Sequence, residues 1–249
     1  MHSHVLEIAL MGIVAFGVGS CAAAAAPAAK AKSGGDVSVN PPSAPCTPSN
    51  TTKAPADGLI ADFADTGEGG NGIVIPAFIL NYASPKAGGP GSPATTTAGG
   101  VLTIRVGLSP TSKPQFVGTV IHFNRCIAAS AFSGVQFTVA GSLSGCRLQY
   151  GTADVQHQDM TVGSPFASGL AGSYPPQNVF DSESLTSKAQ VVRTPFVGSD
   201  IKGDPATPLD PSKLISVLWQ FVVPVAAENG ETTPMCTGTL TVDDVKFYR

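Results

Sequence analysis

The sequence predicts an all-β domain built as two antiparallel sheets packed face to face. Three observations carry that prediction. Several stretches alternate apolar with small or polar residues at period 2, and no long window spaces its apolar residues at helical intervals. Charged residues are few, at 12%, whereas glycine (28) and proline (21) are abundant, which suits short strands joined by turns. Each such strand has a face to bury, and two sheets laid against each other bury all of them at once.

The strands follow in order. Asp57–Asp65 opens the domain, with Leu59, Ala61 and Phe63 on one face, Ile60 and Asp62 on the other, and Asp65–Gly72 turning the chain. Ile73–Tyr82 reads as a second strand, and Pro76, which cannot donate to a ladder, puts it at an edge. Ser84–Gly100 reads as a loop. In Val101–Leu108, residues Leu102, Ile104, Val106 and Leu108 point one way, and Thr103 and Arg105 the other. Val117–Phe123 sets Val117, Thr119, Ile121 and Phe123 against Gly118, Val120 and His122. Val135, Phe137 and Val139 oppose Gln136 and Thr138, and Leu148 and Tyr150 oppose Arg147 and Gln149. The longest strand, Leu214–Pro224, sets Ile215, Val217, Trp219, Phe221 and Val223 against Ser216, Leu218, Gln220 and Val222.

Cys236–Arg249 closes the chain and brings the count to about eight strands. Its adjacent carboxylates, Asp243 and Asp244, are poor strand formers placed between Val242 and Val245. They demand a cation or hydrogen-bond donors. Gly151–Asp181 and Phe196–Pro211 show no strand pattern, and loops of that size are places to look for specificity.

The N-terminal region is of another kind. Ile8–Val18 is an apolar run ending in small residues, shorter than the roughly 20 residues of a spanning helix, and reads as a signal peptide over residues 1–20. Val18-Gly19-Ser20-Cys21 resembles a bacterial lipobox, which makes Cys21 the lipidated residue; residues 1–7 depart from the pattern in carrying no lysine or arginine. Residues 21–56 form an Ala/Pro/Ser/Thr-rich tether with little to bury, and the sandwich spans 57–249. The expected location is the cell envelope or outer membrane as a lipoprotein, or the extracellular space. The lipid is the only expected link to the membrane, and the domain is expected to be monomeric.

A net charge of -3 with singly scattered lysines and arginines gives no footprint for nucleic acid. No Ser-His-Asp spacing, zinc-protease helix, nucleophile elbow or phosphate loop occurs, so no catalytic residue is assigned. Beyond Cys21, the cysteines Cys46, Cys126, Cys146 and Cys236 are an even set, which in an exported chain implies two disulfides and leaves three pairings open. In one of them, Cys126–Cys146 closes a short loop worth roughly 3 kcal/mol and Cys46–Cys236 ties the domain entrance to the closing strand.

Four segments form a set: Asp57–Phe63, Phe123–Phe137, Leu218–Pro224 and Val242–Phe247. Together they resemble the galactose-binding-like β-jelly-roll carbohydrate-binding modules and related domains of bacterial surface lipoproteins and polysaccharide-degrading enzymes. The resemblance covers most of Asp57–Arg249 through short motifs. It implies a jelly roll whose first strand pairs near the closing one. It also implies a structural calcium between the first-strand carboxylates and the closing pair, here Asp62 or Asp65 with Asp243, and hard oxygen ligands suit that ion. Ala64 stands where the family has an acidic residue. The bland alternative is that Asp243 caps backbone amides at a bulge while Asp244 faces water.

Family members bind sugars by stacking pyranose faces on aromatic rings. Trp219 shares a face with aliphatic residues and reads as core, which leaves Tyr82, Tyr150 and Tyr174 as exposed platforms. Arg105, Arg147, Gln149 and Gln220 are their candidate polar partners on open sheet faces. The implied function is a non-catalytic, surface-anchored module for a glycan or other extracellular ligand. The competing functions are a structural or protein-interaction domain of the envelope with no sugar site, and a polysaccharide hydrolase.

Overall fold

The computed structural model describes residues 46–64, 72–84, 93–112, 115–156, 176–180, 185–199, 205–223, 225–227 and 232–249. All of them belong to the unit Asn40–Arg249. Tyr174, Asp65, Cys21 and residues 1–20, read above as a signal peptide, lie outside the described residues.

Twelve strands occur among the described residues: β1 (Thr51–Lys53), β2 (Leu59–Ala61), β3 (Ala77–Ser84), β4 (Ala94–Ala98), β5 (Val101–Leu108), β6 (Gln115–Ala128), β7 (Gly134–Ser144), β8 (Arg147–Asp154), β9 (Gln177–Phe180), β10 (Gln190–Pro195), β11 (Leu214–Val223) and β12 (Cys236–Tyr248). Sheet I runs β1-β6-β11-β8-β9 with β3 also on β6, and sheet II runs β10-β7-β12-β5-β4 with β2 on β12. All pairings are antiparallel except that of β1 with β6.

The pairings of β5 with β12, β6 with β11, β7 with β10 and β8 with β9 are nested one inside the next. Successive pairs fall in alternate sheets. Four nested hairpin pairs folded over a common core make a jelly roll. The expected all-β, two-sheet architecture is therefore present, with β2 on the closing strand as the resemblance implied.

Alternation explains which residues enter the core. Leu102, Ile104, Val106 and Leu108 of β5 are buried while Arg105 is exposed. In β11 both faces are covered, and every residue but Val222 is buried. Phe137 of β7 joins the sheets, standing edge-on to Trp219 at 5.3 Å and to Tyr150 at 5.1 Å between ring centroids. Edge-to-face pairs of this kind add about 0.5–1.5 kcal/mol each beyond the area they bury. A polar stitch also crosses between the sheets at one edge. Thr119 donates to the Asn81 carbonyl at 2.8 Å, and the Asn81 amide donates to Thr95 at 2.9 Å.

The disulfides are Cys46–Cys126 and Cys146–Cys236, with sequence separations of 80 and 90, and this corrects the pairing considered above. The reason is strand length. Cys126 lies near the end of β6, and Cys146 follows the eleven-residue β7, which at 3.3 Å per residue places it about 36 Å away at the opposite end of the sandwich. There Cys236 begins β12 beside the end of β7, where Thr237 pairs with Ser144. Cys46 lies just ahead of β1, whose Thr51 pairs with Cys126. Thus β1 and Cys46, in the stretch read as tether, are joined to sheet I.

The acidic pair of β12 sits at a break in register against β7 between Asp243 and Lys246. Asp243 Oδ1 accepts the Asp244 amide at 2.6 Å, and Lys246 donates to Asp244 Oδ2 at 2.6 Å. Asp244 has φ 49°, a left-handed conformation that aspartate tolerates better than most residues. The bulge, the donated amide and the ammonium together meet the carboxylates' need for donors.

Candidate functional site

The structure sorts the candidate residues by face. Along β11, Val217, Trp219, Phe221 and Val223 point between the sheets, so Ser216, Leu218 and Gln220 point to the outer face of sheet I. Register then places Tyr82 of β3, Gly118 of β6, Gln220 of β11 and Gln149 of β8 in one cross-strand row on that face. Leu80, Val120 and Leu218 form the next row, an apolar strip that makes a buried cluster with Tyr82 apart from the main core. Phe78, His122 and Ser216 form the row beyond, with Ala153 at its end.

The first row is a hydrogen-bonded ladder with a fixed sense. The Tyr82 hydroxyl donates to Gln220 Oε1 at 2.8 Å, and Gln220 Nε2 donates to Gln149 Oε1 at 2.9 Å. Gly118 makes the first of these contacts possible. A Cβ there would lie 2.7 Å from the Tyr82 ring and 2.5 Å from the Trp219 carbonyl, so only a bare backbone lets the ring lie across the strand. In the third row the Phe78 and His122 rings stack, 5.5 Å between centroids and 11° from parallel. At that end Cys126, Ala153 and Ile215 pack with Cys46 and Val155, so the Cys46–Cys126 disulfide walls the face. At the other end Arg147, paired to Val222, is exposed.

Tyr82, Arg147, Gln149 and Gln220 are thus brought to one face, as side chains two residues apart on neighbouring strands must be. Two expectations need correction. Tyr150 points the other way, into the core against Phe137, because it alternates with Gln149; burial pushes its phenol above the ordinary value. Tyr82 lies on the face but is only 4% exposed, as is Gln149, while Gln220 is wholly buried, so the ladder is withdrawn from solvent. Arg105 stands on the outer face of sheet II, paired with Thr239 and Ala94, and cannot share a ligand with the ladder. Tyr174 lies outside the described residues.

Sequence reasoning passed over Phe78, His122 and Ser216. The signal existed, since His122 and Ser216 alternate with core residues on their strands and therefore share the face of Gln220.

For calcium, Asp62 Oδ1 accepts the Ala64 amide at 3.0 Å, and the contacts of Asp243 are those of the bulge. Among the described residues no group of three or more His, Cys, Asp or Glu stands close enough to hold a metal. Asp65, the third candidate ligand, lies outside them.

No protein-family model matches the chain, and no curated protein matches it. Solved structures similar at low identity include the following two. One is the family 11 carbohydrate-binding module from Clostridium thermocellum in complex with a β-1,3-1,4-mixed-linked tetrasaccharide, at 15% identity and a TM-score of 0.44, covering 77% of this chain and 94% of that one. The other is an exo-β-agarase, at 12% identity and a TM-score of 0.40, covering 76% of this chain; the match spans 25% of the agarase.

Proposed function

We propose that this domain is a non-catalytic module that binds a neutral glycan on the outer face of sheet I. The observation that carries the proposal is the Tyr82–Gln220–Gln149 ladder, an uncharged, directional array of donors and acceptors placed away from the core between aromatic and apolar side chains. Amides and hydroxyls match sugar hydroxyls, and the rings of Tyr82 and Phe78 supply apolar faces of the kind that meet pyranose C–H groups. Screening the purified domain on immobilised neutral and acidic polysaccharides tests the proposal. Retention by neutral polymers, lost in Gln149→Leu and Gln220→Leu, is expected; no retention by any of them contradicts it.

The remaining parts of the reading concern anchorage and metal. The protein is exported, in keeping with two disulfides in so small a domain, and is held at the cell envelope through a lipid on Cys21. Cys21→Ala expressed in a bacterial host with labelled palmitate loses its label if so; unchanged incorporation contradicts it. A structural calcium held by Asp62, Asp65 and Asp243 would raise the melting temperature over that in chelator, and identical melts rule it out.

One observation favours a second reading. The ladder is buried, as it would be if it served only to orient strands in an envelope domain with no sugar site. Such a domain would show no retention on any glycan and no change in retention on ladder substitution.

A further inference from the structure

Ser216, which lies beside His122 on the sheet I face, has a hydroxyl that the ladder does not use. Ser216 is fully buried between His122 of β6 and Ala153 of β8, and its hydroxyl makes no hydrogen bond. A buried hydroxyl without a partner costs free energy that alanine would spare, with almost no change in packing. Other hydroxyls nearby are satisfied: Tyr82 bonds Gln220, Thr119 bonds Asn81, and Ser212 bonds Asp210. Thr152 and Thr194 share the unpartnered state but point between the sheets, Thr152 opposite Val217 and Thr194 opposite Val135. Ser216 instead points to the ligand face. It also follows a break in register, between Leu214 and Ser216, on both sides of β11. Bulges of this kind re-aim side chains beside functional sites.

We propose that Ser216 is a specificity-determining residue of the glycan site, its hydroxyl reserved for a hydrogen bond with a ligand hydroxyl. This rests on the glycan reading of the face. Ser216 and Gln220 are four residues apart along β11, about 13 Å at 3.3 Å per residue, with the apolar row of Leu80, Val120 and Leu218 between them. That distance exceeds one sugar ring. The two polar rows therefore address different rings of one chain lying along the strands. Ser216 reads the ring nearest the end closed by the Cys46–Cys126 disulfide. The proposed ligand is an oligosaccharide or polysaccharide, and a monosaccharide cannot span both rows.

The test uses wild type, Ser216→Ala and Ser216→Cys on whichever neutral polysaccharide retains wild type, with melting temperature as a second readout. Ser216→Ala is expected to melt higher than wild type, since it removes an unsatisfied group, and to bind about five- to tenfold more weakly, as the loss of one hydrogen bond implies. Ser216→Cys, nearly isosteric but a weaker hydrogen bonder, falls between them in affinity. Binding of Ser216→Ala equal to wild type overturns the role of Ser216 while leaving the glycan site intact. A lower melting temperature for Ser216→Ala also overturns it, because the hydroxyl is then a structural group. Failure of wild type to bind any polysaccharide overturns the glycan reading itself.

Discussion

Replacing Gln220 by leucine isolates what the ladder contributes. The side chain is wholly buried, accepts from Tyr82 and donates to Gln149. Leucine approximates its shape but leaves the Tyr82 hydroxyl and the Gln149 carbonyl each short of one partner. An orphaned buried group costs about 1–3 kcal/mol, so the two losses total about 2–6 kcal/mol. Burying aliphatic carbon in place of an amide returns about 1–2 kcal/mol. The expected net loss is about 0–5 kcal/mol. Tyr82→Phe removes the donor alone and should cost about 1 kcal/mol. In the double variant Tyr82→Phe/Gln220→Leu the hydroxyl can no longer be stranded, so the combined loss should fall below the sum of the single losses by about 1–2 kcal/mol, within the range seen for groups in contact. Equilibrium urea unfolding gives these values, followed by the fluorescence of Trp219, the sole tryptophan. Additivity to within about 0.3 kcal/mol would refute the ladder as an energetic unit.

Three other predictions follow from the geometry. Non-reducing peptide mapping should link Cys46 to Cys126 and Cys146 to Cys236; removing the latter pair should cost about 4.5 kcal/mol in the chain-entropy model, and a loss under about 1 kcal/mol would contradict the 90-residue closure. Gly118→Ala should destabilise by about 1–3 kcal/mol through contact with the Trp219 carbonyl and the Tyr82 ring, and should weaken glycan retention with it; wild-type stability would show that the ring does not lie on Gly118. Desolvation raises the Asp210 carboxyl, but hydrogen bonds from Ser212 and Lys213 and the Lys213 charge outweigh it and hold the group below the ordinary value of 3.8. Its folded pKa being the lower one, its stabilising effect is present above the unfolded pKa and lost as pH falls below about 4. Asp210→Asn should therefore flatten the acid limb of the stability profile, and an unchanged limb would contradict this.

How far the sequence reached depended on whether local pattern or long-range pairing decided the outcome. Alternation placed the core faces of β5, β6, β7 and β8 and of β11 from Val217 onward, including Trp219 as core, because each strand's inward face is set by its own residues; Ile215, read on the Trp219 face, packs instead with Cys126 and Ala153 because the register shifts between Leu214 and Ser216. It failed where composition masked a strand. β4 (Ala94–Ala98) hides in a Gly/Pro/Thr loop, β1 in the tether, and β9 in the irregular region, since edge strands need little apolar content when a neighbour supplies the ladder. Tyr150 was misplaced by treating a phenol as surface although it alternates with Gln149. The disulfides were beyond local reading, because connecting Cys126 with Cys146 looks easy in sequence until β7 is known to run the length of the sandwich. The face shared by Tyr82, Gln149 and Gln220 needed the register of four strands. Its individual side chains were visible, but their assembly was not.

The central claim is that the uncharged ladder on sheet I binds a neutral glycan. Affinity electrophoresis of wild type, Gln149→Leu and an Arg105→Ala control, each verified as folded, tests it most directly. The account predicts retardation of wild type and Arg105→Ala by a neutral polysaccharide, with Gln149→Leu released to the mobility seen without polymer. Equal retardation of Gln149→Leu, or retardation of none of the three by any neutral polymer, would contradict it.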